Sequence, residues 1–109
     1  MLKQVMTTLY QSVEIRRLII DVATNTATSE SEVVCPQNAY RSFQATVTGT
    51  NAVAVVDIEV SVNGTNWMKA LTLTPKVGID DGMSDFSPWP YVRAVVNRNT
   101  GTLNVSMGC

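Results

Sequence analysis

The sequence predicts an all-β fold, an antiparallel two-sheet β-sandwich with a jelly-roll-like arrangement. Apolar and polar residues alternate along run after run, which is the pattern of strands with one buried face. Tight-turn sequences such as Asn63-Gly64 separate these runs, and β-branched residues are frequent whereas Lys, Glu and Leu are sparse. The runs amount to about eight strands, more than one open sheet packs well, so we expect two facing sheets.

The length of 109 residues suits one domain with its own core. We expect residues 13–109 to form this single β-sandwich domain and residues 1–12 to form an amino-terminal arm or an edge strand. The arm carries four apolar residues at helical spacing, which are Leu2, Val5, Met6 and Leu9. A segment this short is a marginal helix by itself, so we expect it to become ordered only when it packs against a neighbour.

The first part of the domain is predicted to contain two strands and a loop. Residues 13–22 alternate and then become continuously apolar, which indicates a strand that is covered on both sides in its second half. Residues 23–32 are small and polar, so they predict a long surface loop. Residues 33–35 predict a short strand that ends at Pro36, because proline cannot donate a hydrogen bond to a sheet.

A hairpin over residues 52–73 is predicted to organise the sheets. It follows a strand at residues 40–48 and a turn at residues 49–51, so we expect three consecutive strands to be antiparallel neighbours. Asn63-Gly64 supplies the positive φ values of a tight connection. The first of these strands has Arg41, Phe43, Ala45 and Val47 on one face, and the second has Ala54, Val56, Ile58, Val60 and Val62 on one face, which is expected to be core. The return strand begins at Trp67, which is expected to share a face with Leu71 and Leu73.

The last third of the chain is predicted to add three strands. A short edge strand is expected near residues 83–86, within an irregular segment that is rich in glycine and proline. Residues 91–97 and 102–107 alternate again. Their inward positions are Val92, Ala94, Val96, Leu103, Val105 and Met107.

The residue inventory argues against catalysis and against metal binding. The chain has no histidine, which removes the usual general base at neutral pH and the usual nitrogen ligand of zinc. Asp80, Asp81 and Asp85 cluster in one segment, but their spacing does not match an EF-hand, and acidic turn residues more often bond to their own backbone. Cys35 and Cys109 are expected to be free thiols. We therefore expect no enzyme activity, no cofactor and no metal.

Charge and hydropathy exclude other classes of partner. The formal net charge is −1 and the few Lys and Arg residues are spread along the chain, so we expect no nucleic-acid binding. No apolar run approaches the roughly eighteen residues of a membrane span, and the first twenty residues do not resemble a signal peptide. We expect a protein that is made in the cytoplasm and binds no membrane.

Three aromatic residues allow two interpretations. Trp67, Trp89 and Tyr91 offer flat faces that suit stacking on carbohydrate rings. A tryptophan beside a hairpin turn, or one between two prolines, is more typical of a plug that closes the open end of a sandwich. The sequence leaves both interpretations open.

Four segments, in this order and spacing, resemble a known family. They are FQATVTGT at residues 43–50, SVNGTNW at 61–67, SPWPYVRA at 87–94 and LNVSMG at 103–108. Together they resemble the head-decoration, or cement, proteins of tailed bacteriophages, and the resemblance covers residues 39–108. Residues before this region match less well.

The resemblance implies a structural virion protein, made in the bacterial host cytoplasm, that binds the capsid exterior and cements the shell. It implies the major capsid protein and copies of the chain itself, as a dimer or trimer, as partners. The expected contact residues are Leu2, Val5, Met6 and Leu9 of the arm, with Val53 and Val55 on an otherwise charged strand face. The two valines could equally belong to the core of a second sheet or be scattered surface residues. An alternative function is a phage tail or neck β-module, including a carbohydrate- or receptor-binding module that uses Trp67, Trp89 and Tyr91.

Overall fold

A computed structural model describes residues 15–29, 32–33, 40–86 and 89–108. These residues form nine β-strands and no helix. The strands are β1 (Ile15–Val22), β2 (Ala27–Thr28), β3 (Glu32–Val33), β4 (Tyr40–Thr48), β5 (Ala54–Ser61), β6 (Met68–Leu73), β7 (Asp81–Phe86), β8 (Tyr91–Asn99) and β9 (Thr102–Gly108). The arm residues, Cys35 and Cys109 lie outside the described part of the chain, so the predictions about them remain predictions.

The strands form two antiparallel sheets that pack face to face. The four-stranded sheet has the order β1-β9-β4-β7, and the five-stranded sheet has the order β2-β8-β5-β6 with β3 also paired to β8. Every pairing between these strands is antiparallel. The predicted all-β, two-sheet sandwich is therefore confirmed.

The core lies between the inner faces of the central strands. The predicted inward positions of β8 and β9 are all buried, as are Phe43, Ala45 and Val47 of β4. β-Branched and other apolar side chains at alternate positions thus bury a continuous apolar surface. This burial is the main favourable contribution to the free energy of folding. Arg41 also lies on the inner face of β4, with an exposed fraction of 1%.

The predicted meander of three strands is wrong. β4 pairs with β7 and β9, whereas β5 pairs with β6 and β8, so β4 and β5 belong to different sheets. Residues 49–53 therefore form a connection from one sheet to the other and not a hairpin turn. The reason is that both strands bury one apolar face, and the two faces can cover each other only from opposite sheets.

The hairpin of β5 and β6 holds two further errors, of which a register shift accounts for the first and the end of β5 for the second. The pairs Ile58↔Leu71 and Glu59↔Lys69 leave Ala70 as an extra residue in β6. Such a bulge interrupts the alternation, so the residues of the hairpin before Ala70 occupy the face opposite to the one expected by counting back from Leu71. Trp67 consequently lies on the outer face, away from the core that contains Leu73. Val62 lies beyond the end of β5 and is exposed, whereas Ser61 is buried.

Differences also occur near the amino-terminal side of the domain. The expected loop at residues 23–32 contains β2 and the first residue of β3, both of which pair with β8. In β1, Leu18 and Ile19 are buried but Ile20 is exposed, because the pairing of β1 with β9 is irregular at two places. Short strands that form on an existing edge depend on tertiary pairing, which composition alone does not reveal.

Four connections of the described chain meet at one end of the sandwich, which we call the crossing end. They are residues 23–26, 49–53, 74–80 and 100–101. Asn99 is buried there, and its side-chain amide donates to the carbonyl oxygens of Val22 and Thr24 at 2.9 and 3.1 Å. Its Oδ1 accepts from the Gly101 main-chain nitrogen at 3.0 Å. One side chain thus joins the connection after β1 to the turn between β8 and β9.

The turn between β8 and β9 also holds the connection between β4 and β5, and both of them cross from one sheet to the other. The Val53 nitrogen donates to Thr100 Oγ1 at 2.9 Å, and the Thr100 nitrogen donates to the Val53 carbonyl oxygen at 3.0 Å. Gly101 permits the close approach, since a Cβ atom there would lie 2.2 Å from the Thr48 oxygen and 2.5 Å from the Ala52 Cβ. A side chain at residue 101 would therefore push the crossing end apart.

We predict that Gly101→Ala lowers the free energy of unfolding by about 2 kcal/mol or more, because the new methyl group overlaps backbone atoms. Gly78→Ala is the control, since nothing lies within 4 Å of its Cβ position while its φ is +78°. That variant is expected to lose only the conformational cost, about 1 kcal/mol. Urea unfolding followed by tryptophan fluorescence gives both values. A Gly101→Ala protein as stable as Gly78→Ala would contradict the close approach.

Candidate interaction surfaces

The outer face of the five-stranded sheet carries an ion pair that is stacked on an aromatic ring. Glu59 of β5 lies opposite Arg93 of β8. Both Nε and Nη2 of Arg93 lie 2.7 Å from Glu59 Oε1, and the two side chains are 29% and 22% exposed. The guanidinium carbon of Arg93 lies 4.3 Å from the centre of the Trp67 ring. This geometry combines a charge-assisted hydrogen bond with a cation–π interaction.

The aromatic residues of the predicted platform have different surroundings. Trp89 is half-buried and packs against the core, which is the plug arrangement that the sequence also allowed. Tyr91 is half-buried, and a Cβ at Gly64 would lie 3.6 Å from its ring, so the ring packs beside the Asn63-Gly64 turn. Trp67 has the Arg93 guanidinium over its ring. Carbohydrate stacking on these three residues stays a prediction.

A second polar group on the same outer face is internally satisfied. Asp57 accepts a hydrogen bond from Thr72 Oγ1 at 2.6 Å and another from the side-chain amide of Asn97. These three residues belong to the neighbouring strands β6, β5 and β8. Asp57 and Glu59 are therefore each hydrogen-bonded to a side chain of a neighbouring strand, which is typical of a structural sheet face.

The carboxylates of Asp80 and Asp81 accept hydrogen bonds from one side chain and from the backbone. Asp81 Oδ2 accepts from the Thr74 nitrogen at 2.7 Å, and Asp80 Oδ2 accepts from Gln44 Nε2 at 3.2 Å. Among the described residues, no group of three or more acidic or cysteine side chains is placed to hold a metal ion. The described part of the chain also contains no helix of the length and apolarity needed to cross a membrane.

Val53 and Val55 are both half-buried on the outer side of the β5 segment. Val53 lies at the crossing end, where it forms an isolated bridge with Lys76. Next to that bridge the chain projects two apolar side chains into solvent, Val77 with an exposed fraction of 45% and Ile79 with 64%. We call Val77 and Ile79 the apolar tip.

Hydrogen bonds hold the apolar tip in one conformation. Lys76 and Ile79 exchange both main-chain hydrogen bonds, at 3.0 and 2.9 Å, across a two-residue turn in which Gly78 has a φ of +78°. The Val77 nitrogen donates to the Ala52 oxygen at 3.2 Å, which joins the turn to the connection between β4 and β5. Pro75, immediately before the turn, is buried. The turn is thus a fixed projection and not a loose loop.

Sequence reasoning missed the apolar tip. The pattern of residues 75–90 is irregular outside the strand expected near residues 83–86, and two apolar residues on either side of a glycine carry no distinctive pattern. The available signal was the pair Val77 and Ile79 in a segment otherwise rich in polar, glycine and proline residues. The other exposed large apolar side chains of the described residues are Ile15, Ile20, Val62 and Met68.

Comparisons with known proteins show the fold. No protein-family model and no curated protein sequence matches the chain. The SPBc2 prophage-derived protein YomS has a similar structure, with a TM-score of 0.63, 10% identity, and coverage of 88% of this chain and 90% of that one. The PBSX exported protein XepA gives a TM-score of 0.62 and 14% identity over 88% of this chain. This chain spans about 36% of XepA. The chain is similar to both proteins in fold.

We predict that Arg93→Gln lowers the free energy of unfolding by about 1 to 2 kcal/mol, because it removes the ion pair and the stacking on Trp67 together. Lys69→Gln is the matched control, since Lys69 faces Glu59 from the other neighbouring strand. Its loss is expected to stay within about 0.5 kcal/mol. Urea unfolding at low and high salt measures both, and equal losses would contradict a specific role of Arg93.

Proposed function

We propose that this chain is a non-enzymatic structural protein of a bacteriophage particle, and that it binds the outside of the capsid and stabilises the shell. The likeness in fold to two phage-derived proteins supports the phage origin. The four segments that resemble head-decoration proteins support the location on the capsid. The observation that carries the proposal is the apolar tip, since a rigid sandwich that exposes apolar side chains on a fixed turn is suited to binding another protein.

The rigidity of the tip favours binding. Because hydrogen bonds already fix residues 76–79, little conformational entropy is lost when the tip enters a pocket. Burying the exposed parts of Val77 and Ile79 contributes roughly 1 to 3 kcal/mol. This is a weak contact at a single site. On a symmetric shell it is multiplied when copies of the chain also bind one another, since the second contact then forms at a high effective concentration.

The proposed partners are the major capsid protein and further copies of this chain, as a dimer or trimer. Val53 lies beside the tip and adds to the same surface. The apolar arm residues Leu2, Val5, Met6 and Leu9 are proposed to add binding area on a neighbouring subunit. Val55 is proposed as a further contact on the outer sheet face.

The alternative is a phage tail or neck β-module, including one that binds carbohydrate through Trp67, Trp89 and Tyr91. The position of Trp67 and Tyr91 outside the core favours this alternative. The Arg93 guanidinium over Trp67 and the packing of Trp89 against the core disfavour it, because they engage ring surface that a sugar would need.

We predict that replacing both Val77 and Ile79 by serine weakens binding to bare, expanded capsids by at least about tenfold, since the apolar contact is lost. Val62→Ser is the matched control, because Val62 is 66% exposed but lies in the turn at the opposite end of β5. A third variant that lacks residues 1–11 tests the arm. Sedimentation of capsids mixed with each protein, followed by counting of the retained copies, measures binding.

The outcomes separate the components of the proposal. Retention of the Val62→Ser protein with loss of the tip variant supports the apolar tip, and the reverse result contradicts it. Equal retention of the truncated and full-length proteins would remove the arm from the mechanism. Failure of the full-length protein to bind capsids, together with binding to tails or to a glycan array, would establish the alternative.

A further inference from the structure

The turn between β5 and β6 contains Asn63-Gly64, a dipeptide that is chemically unstable in flexible chains. In deamidation, the deprotonated main-chain nitrogen of the glycine attacks Cγ of the asparagine. A nitrogen–carbon bond forms, the bond from Cγ to the side-chain nitrogen breaks, and ammonia leaves. Solvent water then opens the resulting succinimide to aspartate or isoaspartate. The reaction needs no enzyme and no reagent except water.

In the folded protein, the nitrogen that would attack is engaged in a hydrogen bond. The Gly64 nitrogen donates a hydrogen bond to Ser61 Oγ at 2.9 Å, and the Asn63 nitrogen donates to the same oxygen at 3.2 Å. Ser61 is 1% exposed, and the Tyr91 ring lies beside Gly64. Because the Gly64 proton must leave before the attack, a buried acceptor that holds this proton opposes the first step.

The structure also fixes the group that would be attacked. Asn63 Oδ1 accepts hydrogen bonds from the nitrogens of Thr65 and Asn66 at 2.8 and 2.9 Å, and from the Ser61 hydroxyl at 3.1 Å. Three donors on one amide oxygen draw electron density from Cγ, which makes this carbon more open to attack. The turn therefore places the activated side-chain amide of Asn63 next to the Gly64 nitrogen, whose hydrogen bond to Ser61 prevents the attack.

We propose that Asn63-Gly64 is a latent self-modification site and that Ser61 is the positioning residue that keeps it closed. Local opening of the turn, with loss of the bond between Gly64 and Ser61, releases the nitrogen and starts deamidation. The product places a new carboxylate in the turn that leads to Trp67, and isoaspartate also adds a backbone atom to the hairpin. A long-lived particle would therefore accumulate the change at this turn wherever it opens.

The test compares folded proteins by peptide mapping and mass spectrometry during incubation at mildly alkaline pH. The readout is the replacement of the residue 63 amide by a carboxylate, with isoaspartate separated by chromatography. Folded wild-type protein is expected to react at least about fivefold more slowly than the same protein in urea. Ser61→Ala is expected to recover about that factor in the folded state. Hydrogen exchange should become faster at the Gly64 amide and stay slow at Arg93.

A variant away from the turn distinguishes protection by Ser61 from a general loss of stability. Ile58→Val truncates a fully buried side chain of the same strand and leaves the Ser61 hydroxyl in place. It is expected to deamidate at the wild-type rate. The proposal is overturned if Ser61→Ala reacts no faster than wild type, if Ile58→Val accelerates as much as Ser61→Ala, or if folded wild-type protein reacts as fast as the protein in urea.

Discussion

The crossing end is the constraint on which the rest of the structure depends. A chain that alternates between two sheets must expose backbone donors and acceptors wherever it crosses, and buried ones need partners. Asn99 supplies three such hydrogen bonds, to the Val22 and Thr24 oxygens and from the Gly101 nitrogen. Thr100 supplies the bonds to Val53. The sandwich keeps its sheet order because these bonds join three of the four connections at one place.

The same end gives the apolar tip its fixed position. The Val77 nitrogen donates a hydrogen bond to the Ala52 oxygen, and the Ala54 nitrogen donates one to the Pro75 oxygen at 3.2 Å. The projecting turn is thus anchored to the connection between β4 and β5, and that connection is anchored to Thr100. Stability and the proposed binding surface therefore share one set of contacts. A change that loosens the crossing end is expected to disturb both.

Alternation along single strands was predictable, and pairing between strands was not. The inward residues of β4, β8 and β9 follow from a local pattern, because side chains on a strand alternate irrespective of its partner. The position of β5 in the other sheet depends on how two apolar faces cover each other, which is not a local property. The bulge at Ala70 moved Trp67 to the outer face, since a single extra residue reverses the alternation. The apolar tip could not be recognised because its isolation in solvent is a consequence of the fold.

In the proposed role, the chain lies on the outside of a phage capsid and its apolar tip faces the major capsid protein. Electron cryomicroscopy of particles with and without this protein tests that claim most directly. The expected result is a sandwich-shaped density on the outside of the shell, present only when the protein is present, with the turn at residues 76–79 directed at the major capsid protein. Density confined to the tail or neck, or a shell contact made by the opposite end, would contradict it.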